Sequence, residues 1–203
     1  MNGTAEIVQL GVDQRDPIRL PRITLIIPVL NEEDSFGVFL ERATEVIRAN
    51  AGRATFDFLF VNDGSTDRTE RVILAAAAGR DDISLINLSR NFGKEAALIA
   101  GMAHATGDAV IPLDVDLQDP PEVITEMIAK WQGGARIVNA RRVKRDSDSW
   151  LKARSAAAFY GVFNALSEQP IPRDVGDFRL MDREVVRIIT QLGERSRCNK
   201  SLF

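Results

Sequence analysis

Two aspartates, Asp114 and Asp116, stand two residues apart just past a short apolar run that ends at Leu113. In an extended segment the side chains of residues i and i+2 point the same way, so these carboxylates converge on one side and repel unless a cation lies near them. Hard oxygen donors of this kind suit Mg2+ or Mn2+, which complete their shells with phosphate oxygens and water. Gln118 offers a neutral oxygen two residues further on. Asp114, Asp116 and Gln118 are therefore the metal-ligand candidates. The plainer reading of the same residues is a solvated acidic turn before the helix start at Pro120-Pro121.

Two more polar clusters follow apolar runs, Pro28-Val29-Leu30-Asn31-Glu32-Glu33 and Asn62-Asp63-Gly64-Ser65-Thr66-Asp67. Each alone reads equally well as a helix cap or a turn. Together with the Asp114 cluster they fall where ligands sit in open α/β sheets, beyond the carboxyl ends of the strands. Other phosphate-binding schemes fail, since there is no G-x-x-x-x-G-K-[ST] and no G-x-G-x-x-G after the first strand. A nucleotide here would be held by carboxylates and a metal. His104, the one histidine, ends an Ala-rich stretch and reads as a surface or packing residue, so histidine-dependent triads have little support.

The elements that must position these clusters alternate between short apolar runs and amphipathic stretches, the signature of βαβ units. Strands are expected at 23–29, 56–61, 83–88, 108–113 and 135–143, the fourth weakened by Pro112, which has no N–H for a ladder. Helices are expected from Phe36 through Ile47, around Val72 to Ala78, over 93–105, and from Pro120-Pro121 to a stop at Gly133-Gly134. After a charged loop at 144–149, a helix over 150–166 carries Trp150, Phe159, Tyr160 and Phe163 among basic residues. A short strand near 177–181 and a helix from Arg183 to Leu192 follow. The expected architecture is a mostly parallel, Rossmann-like sheet with helices on both faces, occupying 23–203 behind an N-terminal arm at 1–22.

The 203 residues suffice for one domain with a sizeable core, and 45% apolar and 27% charged residues are ordinary for a globular protein. A net charge of −3 gives no electrostatic case for nucleic acid. Cys198 is the only cysteine, which excludes a disulfide framework and a cysteine-rich zinc site. Met1 to Pro21 is polar without a signal-like apolar core, and no run approaches a spanning helix, so the chain reads as soluble and cytoplasmic.

The three clusters, with Ser89-Arg90-Asn91-Phe92-Gly93-Lys94-Glu95, resemble the successive motifs of family-2 glycosyltransferases of the GT-A fold. Gly176-Asp177-Phe178-Arg179-Leu180-Met181-Asp182-Arg183 is similar to the branch that acts on polyprenyl phosphates, the dolichyl-phosphate mannosyltransferases and bactoprenol glucosyltransferases. The resemblance covers about Ile23 to Phe203. It implies a nucleotide-sugar donor, UDP-glucose favoured, whose base and ribose meet Pro28, Leu30, Asn31, Glu32 and Asp63, with Lys94 and Asp114 completing the donor site. It implies Mg2+ or Mn2+ at Asp114, Asp116 and Gln118, with Asp114, Asp116 and Arg141 as the catalytic residues. The acceptor, a polyprenyl phosphate, would be met by Arg141, Lys152 and Arg179, although Arg179 reads equally as an outward-facing strand residue.

A peripheral place at the inner face of the plasma membrane follows from that acceptor. The 150–166 helix, with Lys152 and Arg154 among its aromatics, fits a headgroup-level helix and fits packing on the sheet equally well. The pattern departs at Asp-Val-Asp where Asp-Ala-Asp is usual, and at Ala156-Ala157 where Ser-Arg is expected. Relatives of this branch also continue past Phe203 into an interfacial segment and membrane helices, so the sequence reads as a fragment or as a truncated protein. Two alternatives stay open. One is a soluble transferase with a saccharide or protein acceptor, Asp177 serving as general base; the other is a remnant that binds the nucleotide-sugar without transfer.

Overall fold

A computed structural model of the chain describes residues 19–116, 121–141 and 175–191. In chain order the elements are β1 (Arg22–Val29), α1 (Phe36–Ala49), β2 (Thr55–Asn62), α2 (Thr69–Ala77), β3 (Ile83–Asn87), α3 (Lys94–His104) and β4 (Ala109–Pro112). A 3-10 turn (Pro121–Val123) leads into α4 (Ile124–Gln132), followed by β5 (Ile137–Arg141), β6 (Val175–Asp182) and α5 (Arg183–Gln191). The charged loop at 144–149 and the helix expected over 150–166 lie outside the described residues, as does Cys198.

The strands form one sheet in the order β3-β2-β1-β4-β6-β5. β1 pairs in parallel with β2 and β4, and β2 with β3. β6 runs antiparallel to both β4 and β5. The late strand expected near 177–181 is thus longer than the spacing predicts, and it is inserted between two strands that precede it in the chain. The sheet is mostly parallel, as expected, and β5 runs in the same direction as β4.

Alternation along each strand feeds two cores, because successive side chains leave opposite faces of a pleated sheet. Ile23, Leu25, Ile27, Phe58, Phe60 and Ile111 pack with Phe36 and Phe39 of α1, Ile73 of α2 and Met127 and Trp131 of α4. The Phe36 and Phe60 rings meet edge-on with centroids 5.2 Å apart. Ile26, Leu59, Val61, Val110 and Met181 take the other face, under Ala97, Leu98 and Met102 of α3 and Val186 and Ile189 of α5. Gly101 is what lets α3 lie so close, since a Cβ there would collide with the Ile26 side chain.

Pro112 belongs to β4 after all, in register with Ile26. Leu113 N–H donates to the Ile26 carbonyl at 2.9 Å, so alternation turns the nitrogen of Pro112 away from β1. The register with β6 on that side covers Ala109 and Val110. The missing N–H therefore costs no β1 bond. α4 stops as the sequence implies, with Gly134 at φ +104 and its N–H donated to Trp131 O at 2.9 Å.

One buried carboxylate ties the inserted strand to its neighbours. Asp182, 6% exposed at the end of β6, accepts the Trp131 indole N–H at 2.9 Å, the Glu184 amide at 3.0 Å and an Arg136 N–H at 3.2 Å. Burial alone would raise its pKa, but these donors outweigh that and hold the carboxyl below the usual carboxylate range. A group whose folded pKa is depressed contributes stability above its unfolded pKa, near 3.9 for Asp, and that contribution disappears as pH falls through the folded value. Asp182→Asn should therefore cost about 1–3 kcal/mol near neutrality, and the gap to the native chain should close as the solution is acidified below about pH 4. Urea unfolding at several pH values reads this; a gap independent of pH would contradict it.

Candidate active site

Four parallel strands end at one edge of the sheet, and the polar clusters follow them. The first two clusters hold each other. Asn31 sits at φ +57, in the left-handed region that Asn tolerates better than most residues. Its N–H donates to Ser65 Oγ at 3.0 Å and its side-chain carbonyl accepts the Thr66 N–H at 2.8 Å. Glu32 N–H donates to Thr69 Oγ1 at 2.7 Å, and Glu33 N–H to Asp67 Oδ2 at 3.2 Å. The Glu33 carboxylate in turn accepts the Arg68 N–H at 2.8 Å and its Nε–H at 3.0 Å. The Arg68 side-chain bond lowers the Glu33 pKa and raises that of Arg68. The Ser35 hydroxyl donates to the Glu32 carboxylate. Part of the plain turn-and-cap reading holds as well, because Asp67 Oδ1 accepts the Thr69 N–H at the start of α2 at 2.9 Å.

The second cluster then fixes the loop after β3. Asp63 is 3% exposed, and its two carboxylate oxygens accept the amides of Phe92 at 2.7 Å and Gly93 at 2.8 Å. Gly64, at φ +75, lies so near this loop that a Cβ would come within 2.5 Å of the Arg90 carbonyl carbon and 2.6 Å of Asn91 N. No other residue fits there. Gly93 leads directly into α3, whose first residue, Lys94, places its Nζ 2.7 Å from Asp114 Oδ2.

These loops enclose an open pocket of about 360 Å³ lined by Pro28, Val29, Leu30, Glu32, Asp63, Asn91, Gly93, Lys94, Asp114, Val115 and Asp116. Seven residues expected from the sequence at the donor and metal site therefore share one cavity: Pro28, Leu30, Glu32, Asp63, Lys94, Asp114 and Asp116. Asn31 does not line it; its amide is spent on Thr66. Asp114 and Asp116 reach the pocket from a turn that begins after β4, not from an extended segment, with Val115 buried in the core between them. The cation that their spacing demands is in part supplied by Lys94.

Arg141 ends β5 with its backbone in register with Val175, which brings that strand end to the same edge as Asp114. Gln118 and Lys152 lie outside the described residues. Arg179 corrects an expectation: it is 3% exposed, not an outward-facing strand arginine. β6 is an interior strand with both faces covered, so Phe178 and Leu180 enter one core and Met181 the other. His104 is exposed, its Nδ1 2.8 Å from Ala100 O at the end of α3, in keeping with a surface role.

Asn91 and Gly93 also line the pocket, although the sequence marks them only as members of the 89–95 motif and gives neither a site role. Their signal was a fourth polar run, 89–95, after a strand; what it lacked was any local sign that Asp63 would anchor it. Among the described residues no group of three His, Cys, Asp or Glu side chains forms a ready-made metal cage. Two adjacent carboxylates on an open wall nevertheless fit Mg2+ or Mn2+, since such ions take much of their shell from phosphate and water.

The mostly parallel sheet with polar loops at one edge, a carboxylate pair and one antiparallel strand define an α/β fold of the GT-A kind. Residues 24–189 match the family described as Glycosyl transferase family 2, and the chain belongs to that family. It is 46% identical over 181 residues to an uncharacterized glycosyltransferase of Synechocystis, covering 89% of this chain and 56% of that protein. It is 46% identical over 182 residues to the bactoprenol glucosyl transferase of Shigella phage SfV, covering 90% and 59%. The chain thus spans a little over half the length of these relatives. Among solved structures it resembles a mannosyltransferase of Pyrobaculum calidifontis in complex with GDP-Man and Mn2+, with TM-score 0.58, 25% identity and coverage of 88% and 50%. Glucosyl-3-phosphoglycerate synthase of Mycobacterium tuberculosis shares the fold at TM-score 0.54 and 22% identity, covering 81% and 58%.

Asp63→Asn turns one acceptor into an amide donor that faces a backbone N–H. A buried amide is left unsatisfied, at a cost of about 1–3 kcal/mol. The variant should unfold at lower temperature than the native chain; an unchanged melting temperature would show that the loop after β3 is held by other contacts.

Proposed function

We propose that this chain carries the donor-binding catalytic domain of an inverting, metal-dependent transferase. It would move glucose from UDP-glucose to a polyprenyl phosphate at the inner face of the plasma membrane. The observation that carries this reading is one cavity in which Asp114, Asp116 and Lys94 face the loops after β1, β2 and β3. The bactoprenol glucosyl transferases at about 46% identity support the acceptor and the sugar. The mannosyltransferase crystallised with GDP-Man and Mn2+ supports a metal and a nucleotide-sugar in such a site.

The residues suit this chemistry. The acceptor phosphate is already an anion, so an oxygen of it can attack the anomeric carbon without a protein base. That fits a pocket with no histidine in its lining. The new C–O bond forms as the bond from the anomeric carbon to the nucleotide's terminal phosphate oxygen breaks. The electron pair leaves with the nucleoside diphosphate, and in-line attack inverts the configuration. A divalent ion held by Asp114 and Asp116, with Gln118 nominated beside them, would supply charge stabilisation for the departing diphosphate. Pro28, Leu30, Glu32 and Asp63 would bound the base and ribose, while Arg141 and Lys152 would draw the acceptor phosphate toward the donor. Among the described residues no helix is long and apolar enough to cross a membrane.

Transfer of labelled glucose from UDP-glucose to undecaprenyl phosphate should be detectable with Mg2+ or Mn2+ and should fall by about 10²-fold or more in Asp116→Ala. Near-normal metal-dependent transfer by that variant would overturn the assignment. Melting-temperature shifts with UDP- and GDP-sugars identify the donor, because a bound ligand raises apparent stability by mass action.

A further inference from the structure

Lys94 stands at the wall of this pocket beside Asp114 and Asp116. Its ammonium lies 2.7 Å from Asp114 Oδ2, on a carboxylate that the site reading assigns to a divalent ion. Its backbone has no comparable freedom: Gly93 N–H is held by Asp63 at 2.8 Å and Phe92 N–H at 2.7 Å, and Gly64 presses on Arg90 and Asn91 just upstream. The side chain is half-exposed at the pocket wall, 42% against 37% for Asp114. A lysine head on four rotatable carbons can pivot from a carboxylate to a phosphate oxygen while its Cα stays fixed.

We propose that Lys94 is a built-in counter-ion that makes metal uptake depend on nucleotide, an inference that rests on the metal–nucleotide reading of the pocket. Without nucleotide the ammonium neutralises Asp114 and opposes a second cation beside it, so the divalent ion binds weakly. A nucleoside diphosphate offers the ammonium a new anion; Asp114 is then released to the metal as the diphosphate arrives to share it. Coupling of this kind is reciprocal, so the metal strengthens nucleotide binding by the same factor. The arrangement favours loading of the ion together with the donor and disfavours occupation of the carboxylate pair by a free ion.

The test is Mn2+ binding to the full 203-residue chain, read from the loss of the free-Mn2+ electron paramagnetic resonance signal, with UDP or GDP present and absent. In the native chain the nucleotide should tighten Mn2+ binding by about tenfold or more. Lys94→Met, similar in length and uncharged, should bind Mn2+ alone several-fold more tightly than the native chain and gain less from nucleotide. Lys94→Arg, which keeps the charge, should retain weak binding of Mn2+ alone. Both variants alter a half-exposed side chain and should melt close to the native temperature.

The inference is overturned if Lys94→Met binds Mn2+ alone no more tightly than the native chain, or if Lys94→Arg behaves as Lys94→Met does. Failure of the native chain to bind Mn2+ even with nucleotide is a different result. It would sink the reading of the pocket itself.

Discussion

A buried carboxylate must satisfy its oxygens inside the protein, and Asp63 does so with two backbone amides from a different loop. Charge-assisted bonds of this kind are short and strong, and they cannot be exchanged for water where the group is 3% exposed. The loop after β3 is thereby fixed against the end of β2, and the start of α3 is fixed with it. Lys94 owes its place opposite Asp114 to this anchor. The amides just ahead of α3, those of Phe92 and Gly93, are already occupied by Asp63. Charge recognition in the pocket is left to side chains at its wall.

The two edges of the sheet show a division of labour. At the amino ends of the parallel strands, charges cancel in fixed pairs. Arg22 Nε lies 2.6 Å from Asp57, and Arg19 reaches Asp108 at 2.9 Å. At the carboxyl ends, the polar groups are arranged around a cavity, and only part of their capacity is spent on structure. Asn31, Ser65, Thr66, Asp67 and Thr69 are largely committed to holding one loop against another. Glu32, Lys94, Asp114 and Asp116 instead present charge to the pocket. Residues of the same motif thus divide into those that build the rim and those that face the ligand space. Asn31 and Glu32, adjacent in the chain, fall on opposite sides of that division.

The amino-acid sequence by itself determined the periodic elements, the polar clusters after the strands and the stop at Gly133-Gly134. All of these are written locally. A two-residue alternation, a 3.6-residue apolar stripe and a turn signal need no knowledge of distant chain. The carboxylate pair was legible for the same reason, through the spacing of Asp114 and Asp116. Only the tertiary structure decided which partners those groups take across long separations: Asp63 with Phe92 and Gly93, Lys94 with Asp114, Asn31 with Thr66. It also decided that Arg179 is buried, because β6 enters between β4 and β5 in the opposite direction. A strand's place and direction in a sheet depend on free hydrogen-bonding edges and on cores made by other segments, and neither is encoded within the strand's own few residues.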